Sequence, residues 1–198
     1  MNPLNEQPDG ATPLDPNELE GLIPKYISTR GELNILEQEN ILEGEAWVKG
    51  KKKDLLNDAF FRRLHKKMFK NVWKWAGEYR KTGKNIGVPC EQISTELKKL
   101  CYDVKYWVEN ETYNWDEIGA RFHHRLVFIH PFPNGNGRFA RLMTDVLLEA
   151  NGQKTFSWGL SGLGRGEVDA DDVRKNYLAA LRDADSKSFE KLLKFVKG

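Results

Sequence analysis

The 198-residue sequence predicts an all-α fold with one small β-hairpin, and three observations support this. Apolar residues recur at intervals of three and four along most of the chain, which is the spacing of one face of an α-helix. This period is lost over residues 77–89, where Gly83 and Gly87 flank a short segment that contains β-branched Ile86 and Val88. Hydrophobic residues make up 39% of the chain and aromatic residues 11%, which suffices for a buried core.

The N-terminal part predicts a tail and then a helix. Residues 1–17 are polar and rich in proline, and we expect an extended tail or a strap over the surface. Residues 18–27 predict a short helical turn, and residues 31–49 predict a longer helix with most of its apolar residues in one half of the helical wheel. These are Leu33, Ile35, Leu36, Leu42, Ala46 and Trp47. Glu39 and Glu43 fall in the same half, either at the rim of the packing surface or in a specific pairing, because an unpaired carboxylate there is costly.

The rest of the chain predicts a series of helices. A basic linker at residues 50–53 precedes a helix whose apolar residues run from Leu56 to Ala76, with Asp54 as its expected cap. Further helices are predicted over residues 93–108, 116–129, 139–150, 173–181 and 189–196. A glycine-rich loop at residues 156–166 does not follow a strand, so it is not a dinucleotide or Walker loop.

Composition limits the function classes. The 31 basic and 29 acidic residues leave a net charge of +2, which predicts no strong field for nucleic acid. No apolar run approaches the roughly 18 residues of a membrane helix, and the N-terminus lacks the pattern of a signal peptide. Cys90 and Cys101 have no motif spacing, so we expect free thiols. We therefore expect a cytoplasmic protein that binds neither membranes nor nucleic acids directly.

The densest chemistry lies in residues 130–141, which read His-Pro-Phe-Pro-Asn-Gly-Asn-Gly-Arg-Phe-Ala-Arg. The pattern predicts a loop between two apolar helices. The first N–H groups of a helix lack partners within the helix and attract an anion. Gly135 and Gly137 let the backbone approach that anion, and Arg138 and Arg141 add forked donors in the first turn. These features together predict a polyphosphate site.

His130 ends the helix before this loop and therefore lies beside the predicted anion, where its imidazole can act as a general base toward an incoming hydroxyl group. The alternative is a loop of turn-forming residues with solvated arginines. The coincidence of base, glycines and both arginines favours the site.

Residues 130–141 resemble the signature of the Fic family, His-x-Phe-x-(Asp/Glu)-Gly-Asn-Gly-Arg-x-x-Arg. Members of that family mostly transfer AMP from ATP to a Ser, Thr or Tyr hydroxyl of a target protein. The resemblance implies a Fic-type helical bundle in which His130 is the base and Phe132 anchors the loop in the core. It also implies that the phosphates are held by Gly135, Asn136, Gly137, Arg138 and Arg141.

One position departs from the signature, because Asn134 occupies the place of the acidic Mg²⁺ ligand. An amide oxygen can ligate Mg²⁺ but lacks the charge of a carboxylate, so Asn134 is a weak candidate ligand. ATP and Mg²⁺ remain the expected cofactors. The departure leaves open the transfer of another phosphate-containing group, the removal of AMP, or a nucleotide-binding regulatory module without turnover.

The resemblance also implies an inhibitory helix. Many Fic proteins carry the pattern (Ser/Thr)-x-x-x-Glu-(Gly/Asn), whose glutamate pairs with the second arginine of the motif. Glu43 and Glu39 both match the end of this pattern without the Ser/Thr. Glu43 is favoured, with Arg141 as its partner. Residues 1–53 are thus predicted as an N-terminal extension that contains this helix, and residues 54–198 as the catalytic domain.

The predicted hairpin lies where the family has its flap, which pairs with the target's backbone. Its candidate residues are Lys84, Asn85, Ile86 and Gly87. An ordinary connecting hairpin is the alternative. The length and flanking regions are most similar to the subgroup called mobile mystery protein B, which is typically encoded beside a helix-turn-helix protein. That protein is an expected partner, together with an unknown target protein and a nucleoside triphosphate.

Overall fold

The computed structural model describes residues 15–160 and 170–198, and its regular secondary structure there is helical. The helices are α1 (Pro16–Leu19), α2 (Arg30–Val48), α3 (Asp58–Phe69), α4 (Ile93–Glu109), α5 (Trp115–Ile129), α6 (Asn136–Ala150), α7 (Ala170–Asp185) and α8 (Glu190–Lys197). A 3₁₀ turn over Cys90–Gln92 leads into α4. The all-α prediction is confirmed. Within the described ranges, no helix combines the length and apolar character needed to cross a membrane.

The main core forms where α3, α5 and α6 meet. Phe61, Phe122 and Phe139, one from each helix, are fully buried, and the Phe61 ring lies 6.0 Å from that of Phe139 in an edge-to-face arrangement. Burying one such side chain contributes roughly 1.5–3 kcal/mol. The two helices on either side of the 130–141 loop are therefore held rigidly at the centre of the molecule. Leu33, Ile41 and Val48 of α2 join the same core, so the N-terminal extension packs with the motif helices.

The helix predicted from Leu56 to Ala76 is shorter than expected. Asn57, rather than Asp54, caps α3, since its Oδ1 accepts the Phe60 N–H at 2.8 Å. The helix ends at Phe69, and the chain then turns to form an isolated antiparallel bridge between Trp73 and Leu22. The apolar residues Val72, Trp73 and Ala76 are buried in this turn. Their spacing therefore resembled the buried face of a helix although the chain is not helical there.

The hairpin prediction was wrong for residues 77–89, which form bends without strands. The reason is a side chain. The Arg80 guanidinium donates through Nη1 to the carbonyl of Thr82 at 2.9 Å and through Nη2 to that of Val88. Both ends of the segment are therefore joined through a guanidinium group and not through a backbone ladder. We call residues 80–88 the flap segment.

The buried face of α2 also differs from the predicted one. Ile35 and Leu42 are 64% and 55% exposed, whereas Glu37 and Asn40 are buried. Gly44 sets this register, because a Cβ at that position would lie 2.7 Å from Cγ of Met68 on α3. The close approach that glycine permits turns the polar residues inward.

A second apolar cluster joins α7 and α8 to the far side of α5 and α6. Its buried members are Ala120, Leu148, Phe156, Trp158, Ala180, Leu181, Ala184, Leu192 and Val196. The glycine-rich loop predicted at residues 156–166 lies partly outside the described residues. Its start is tied to α6, since Asp145 accepts hydrogen bonds from the Phe156 N–H at 3.3 Å and the Trp158 Nε1–H at 2.9 Å.

Candidate active site

His130 follows the last residue of α5 in a left-handed conformation, with φ 53° and ψ 59°. Residues other than glycine adopt this region uncommonly. The side chain is buried, and the burial, assisted by the positive charges of Arg80 and Lys84, lowers the pKa of its imidazole to about 4. At neutral pH the ring is therefore uncharged, which is the form that can accept a proton.

Arg80 fixes the backbone of His130. Only 3% of this residue is exposed, and its Nε donates to the His130 carbonyl at 2.6 Å. Its own backbone N–H donates to the Pro131 carbonyl at 3.0 Å. The same guanidinium holds both ends of the flap segment, so one side chain positions His130 and the flap segment together. Sequence reasoning assigned Arg80 no role, because nothing in the sequence marks an arginine as buried.

The flap segment lies directly against His130. Gly87 has φ 99°, and a Cβ there would lie 2.7 Å from the His130 Cβ and 2.8 Å from Nη2 of Arg80. Only glycine fits this position. Asn85 and Ile86 lie at the exposed tip.

Lys84 points instead toward the N-terminal segment. Its side chain is 3% exposed, and its Nζ lies 2.6 Å from an Oε atom of Glu18 and 3.0 Å from an Oδ atom of Asp15. Asp15 also accepts the Thr82 hydroxyl at 2.9 Å. Most of the tail or strap predicted over residues 1–17 lies outside the described residues. Of its described part, Asp15 binds the flap segment, together with Glu18 just after it.

The motif loop is held from inside by its own side chains. Phe132 is fully buried. The Asn136 side chain accepts the Phe132 N–H at 2.9 Å and donates to the Phe132 carbonyl at 2.8 Å. Asn136 is therefore bound to the loop backbone, while its own N–H belongs to the first turn of α6.

His65 of α3 supports the loop from beneath. Its ring stacks on Phe132, with centroids 3.7 Å apart. The Gly77 N–H donates to Nδ1 at 3.0 Å, so the proton is on Nε2, which lies 3.1 Å from the Asn134 carbonyl and donates to it. Burial lowers the pKa of His65 to about 3, so the ring stays neutral. Sequence reasoning gave this histidine no role.

The N-terminus of α6 lies where the sequence predicts an anion site. Gly135 caps the helix with φ 77°, and a Cβ there would lie 2.6 Å from the ring of Phe69. No acidic residue lies in the first turn of α6, so the positive end of the helix dipole is not offset by its own residues. A Cβ on Gly137 would lie no closer than 3.8 Å to its nearest neighbour, the Tyr177 hydroxyl.

Arg138 forms an ion pair that the sequence did not indicate. Its Nη1 lies 2.9 Å from an Oε atom of Glu37 on α2, and the other Oε of Glu37 accepts the Trp73 Nε1–H at 2.7 Å. The Glu37 side chain is 1% exposed, and that of Arg138 is 26% exposed. A carboxylate of α2 thus forms an ion pair with Arg138, the first arginine of the motif.

The expected pairing of Glu43 with Arg141 was wrong. Glu43 lies on the surface, 3.1 Å from Nζ of Lys70, with half of its side chain exposed, and Glu39 is exposed as well. The register set by Gly44 explains this, because it turns Glu37 and not Glu39 or Glu43 toward α6. Glu37 was missed since the residue after it is Gln38, which does not match the inhibitory pattern.

Arg141 faces α7. Its guanidinium carbon lies 5.6 Å from the centroid of the Tyr177 ring, and burial lowers the pKa of Arg141. The Tyr177 hydroxyl lies 3.0 Å from Nε2 of His123, a fully buried histidine of α5 whose pKa burial lowers to about 3. The second motif arginine is thus placed by an aromatic ring and not by a carboxylate.

The side chains at the loop fit Mg²⁺ poorly. The Asn134 Oδ1 accepts the Gly135 N–H at 2.6 Å and lies 3.4 Å from Nη2 of Arg138. Mg²⁺ is usually bound through one or two carboxylates together with substrate phosphates. No cluster of three His, Cys, Asp or Glu residues suited to a metal ion occurs in the described residues. Residues 130–141 themselves therefore offer Mg²⁺ no carboxylate ligand.

Comparisons with known proteins agree with this geometry. The model of the Fic/DOC family matches residues 55–148. The Protein adenylyltransferase Fic of Nematostella vectensis is 34% identical over 76 residues, which are 37% of this chain and 18% of that protein. A probable protein adenylyltransferase of Aquifex aeolicus is 26% identical over 140 residues, 66% of this chain and 39% of the relative. The chain thus spans well under half the length of these relatives.

Solved structures show the same fold. The N-terminal Fic domain of a putative cell filamentation protein from Bartonella quintana has a TM-score of 0.70 at 18% identity, over 91% of both chains. The BepC protein of Bartonella tribocorum, solved with bound AMPPNP, has a TM-score of 0.68 at 19% identity, over 92% of this chain and 97% of that one. The fold is that of a Fic domain. Residues 55–148 match the Fic/DOC family model, in agreement with the resemblance that the motif carries.

Proposed function

We propose that this protein transfers the AMP group of ATP to a hydroxyl group of a target protein. The observation that carries the proposal is the position of His130, a buried and uncharged imidazole at the start of the short loop that leads to α6, whose first two turns bear Arg138 and Arg141. A base next to an anion site is what phosphoryl chemistry on a hydroxyl nucleophile requires. The adenylyltransferase names of the Nematostella and Aquifex relatives support the same reaction.

In the proposed reaction the target hydroxyl oxygen attacks the α-phosphorus of ATP in line with the bond to the β-phosphate. The new P–O bond forms as that bond breaks, the hydroxyl proton passes to His130, and pyrophosphate leaves. The N–H groups of the first turn of α6, with Arg138 and Arg141, stabilise the charge that develops on the phosphates. The bound phosphates also raise the pKa of His130, because a nearby negative charge favours the imidazolium.

The flap segment is proposed to position the target. Gly87 packs on His130, and the exposed tip at Asn85 and Ile86 leaves backbone groups near the base. An extended peptide that pairs with this backbone would be held without regard to its sequence. Lys84 is bound to Asp15 and Glu18, so we propose that it fixes the flap segment and does not contact the target.

We also propose that α2 inhibits the transfer through Glu37. The carboxylate occupies Nη1 of Arg138, the group that would bind a phosphate oxygen. ATP that enters against this ion pair is misplaced, and a misplacement of about 1 Å can cost on the order of 10² in rate. Glu37 replaces Glu43 and Glu39 as the inhibitory candidate.

Label transfer tests the reaction. Incubation of the protein with potential targets and α-labelled ATP should label protein, whereas γ-labelled ATP should not. Label from the γ-position would instead indicate transfer of a phosphoryl group, and loss of AMP from a modified protein would indicate the reverse reaction. If both the wild-type protein and Glu37→Gln bind nucleotide but label no protein, the chain is a nucleotide-binding regulatory module without turnover. Mass spectrometry of the labelled protein identifies the transferred group.

The membership of the mobile mystery protein B subgroup and the helix-turn-helix partner stay predictions. Co-purification of the two proteins from cells that express both tests the partnership. Recovery of this chain alone would contradict it.

A further inference from the structure

The first residue of α2, Arg30, is an arginine that neither the motif nor the proposed reaction uses. It lies three residues before Leu33 and seven before Glu37. Residues at this spacing share one face of a helix, and both Leu33 and Glu37 are fully buried. Arg30 therefore lies on the face that α2 turns toward the site.

The environment of Arg30 disfavours a cation. Its Nε and Nη1 atoms are buried without a hydrogen-bond partner among the described residues. Buried donors of a charged group cost free energy when they are unsatisfied. The residue also occupies the positive end of the α2 dipole, where a second positive charge is unfavourable. Both effects indicate that the Arg30 guanidinium is suited to bind an anion.

No carboxylate of the site is available to supply that anion. Arg30 is close enough to Glu37 and Arg138 for their charges to act on its pKa, which burial lowers, Glu37 raises and Arg138 lowers. However, one oxygen of Glu37 accepts from Trp73 and the other from Arg138. A single carboxylate thus faces two guanidinium groups, with Arg141 as a third one turn further along α6.

We propose that Arg30 is a third arginine of the phosphate site and binds the terminal phosphates of a nucleoside triphosphate. This inference rests on the proposed function. A polyphosphate carries several charged oxygens. While one of them binds Arg138, another can accept hydrogen bonds from Nε and Nη1 of Arg30. Helix α2 then has two opposite effects on the nucleotide, since Glu37 repels its phosphates and Arg30 attracts them.

Binding measurements on the full chain test the role of Arg30. Isothermal titration with ATP, inorganic tripolyphosphate and AMP is carried out on Glu37→Gln and on the double variant Arg30→Gln/Glu37→Gln. Both variants lack the Glu37 carboxylate. A difference in their ATP affinity therefore cannot arise because Arg30 neutralises Glu37. A charge-assisted hydrogen bond corresponds to about a tenfold change in affinity or more, so ATP and tripolyphosphate should bind at least that much more weakly to the double variant. The affinity for AMP should not change.

Two further variants complete the experiment. Arg30→Lys should recover part of the affinity, because it keeps the charge but loses the fork. Arg182→Gln, at an exposed arginine of α7, should change nothing and serves as the matched control. Circular dichroism melts verify that each variant is folded.

The outcomes separate this inference from the proposed function. If ATP binds equally well to the single and double variants, Arg30 is not a phosphate ligand, and the transfer reaction is unaffected by that result. If the affinity for AMP falls as much as the affinity for ATP, Arg30 acts through the structure of the site and the inference is overturned. If Glu37→Gln binds no ATP at all, the proposed function fails and Arg30 loses its ligand with it.

Discussion

Residues 130–141 and helix α2 both contribute charged side chains to one site, yet only the first region could be interpreted from sequence. The motif brings its base, glycines and arginines together within twelve consecutive positions. Helix α2 brings a glutamate whose partner, Arg138, lies 101 residues away. The face of α2 that meets the motif depends on the approach to α3 at Gly44, and not on the apolar pattern. Local chemistry is thus visible in the sequence, whereas the docking of one element on another is not.

This comparison implies that the motif residues control chemistry and that α2 controls access. The two kinds of residue should respond differently to substitution. Variants of the motif should lose activity, and a variant of α2 that removes the Glu37 charge should gain it.

The largest effect is expected for His130→Ala. Loss of a general base typically costs about 10² to 10⁴ in rate, so transfer should fall by that factor. Affinity for ATP should persist, because the helix N-terminus and both arginines remain. Transfer from α-labelled ATP and titration with ATP measure the two quantities. Near-complete transfer by the alanine variant would reject His130 as the base.

Glu37→Gln should raise transfer by about 10², since phosphates misplaced by roughly 1 Å would return to their positions. Glutamine keeps the acceptor for Trp73 and removes the charge that holds Arg138. The matched control is Glu43→Gln, which removes an equal charge from the exposed face, beside Lys70, and should leave the rate unchanged. Incorporation of label into protein provides the rate.

Activation by Glu43→Gln with no response to Glu37→Gln would contradict the register of α2 and restore the sequence-based choice. If neither variant is activated while Arg138→Ala abolishes transfer, α2 is a structural element and not an inhibitor.

Acid should destabilise the fold through histidines whose pKa is lowered by burial. His65 and His123 have a pKa of about 3 and His130 of about 4, compared with 6.5 in an unfolded chain. The unfolded state therefore binds protons that the folded state does not, and the free energy of unfolding falls as the pH drops below 6.5. Each such group contributes a slope of about 1.4 kcal/mol per pH unit across this window.

Urea titrations at several pH values between 6.5 and 4 measure this slope. His65→Gln should reduce the slope by the contribution of one titrating group. Glutamine can retain the hydrogen bonds to Asn134 and Gly77 without binding a proton. Equal slopes for the two proteins would show that His65 is not neutral in the fold.

The smallest effect is expected for Asn134→Asp. A carboxylate at this position should bind Mg²⁺ more tightly and raise transfer a few-fold, because hard cations prefer charged oxygen ligands. The gain should stay modest, since Nη2 of Arg138 lies 3.4 Å from the same oxygen and would compete with the metal. A titration of activity with Mg²⁺ decides this. An unchanged metal requirement would place residue 134 away from the cation.

The helices of the motif region could be predicted closely, and the site only in its local part. The predictions over residues 93–108 and 116–129 agree with α4 and α5, because a long apolar period is a strong signal. The supports of the loop were missed. Arg80 binds a carbonyl 50 residues away, and His65 binds one 69 residues away. Both side chains are buried, and the burial of a polar residue cannot be predicted from its residue type.

The Arg80 guanidinium has a consequence for motion. One side chain bonds to both ends of the flap segment and to the carbonyl of His130, so these parts cannot open separately without leaving a buried cation unsatisfied. We therefore expect them to unfold locally as one cooperative unit. A target peptide that stabilises the flap segment would therefore also rigidify the base, and docking and proton transfer would be thermodynamically linked through a single residue.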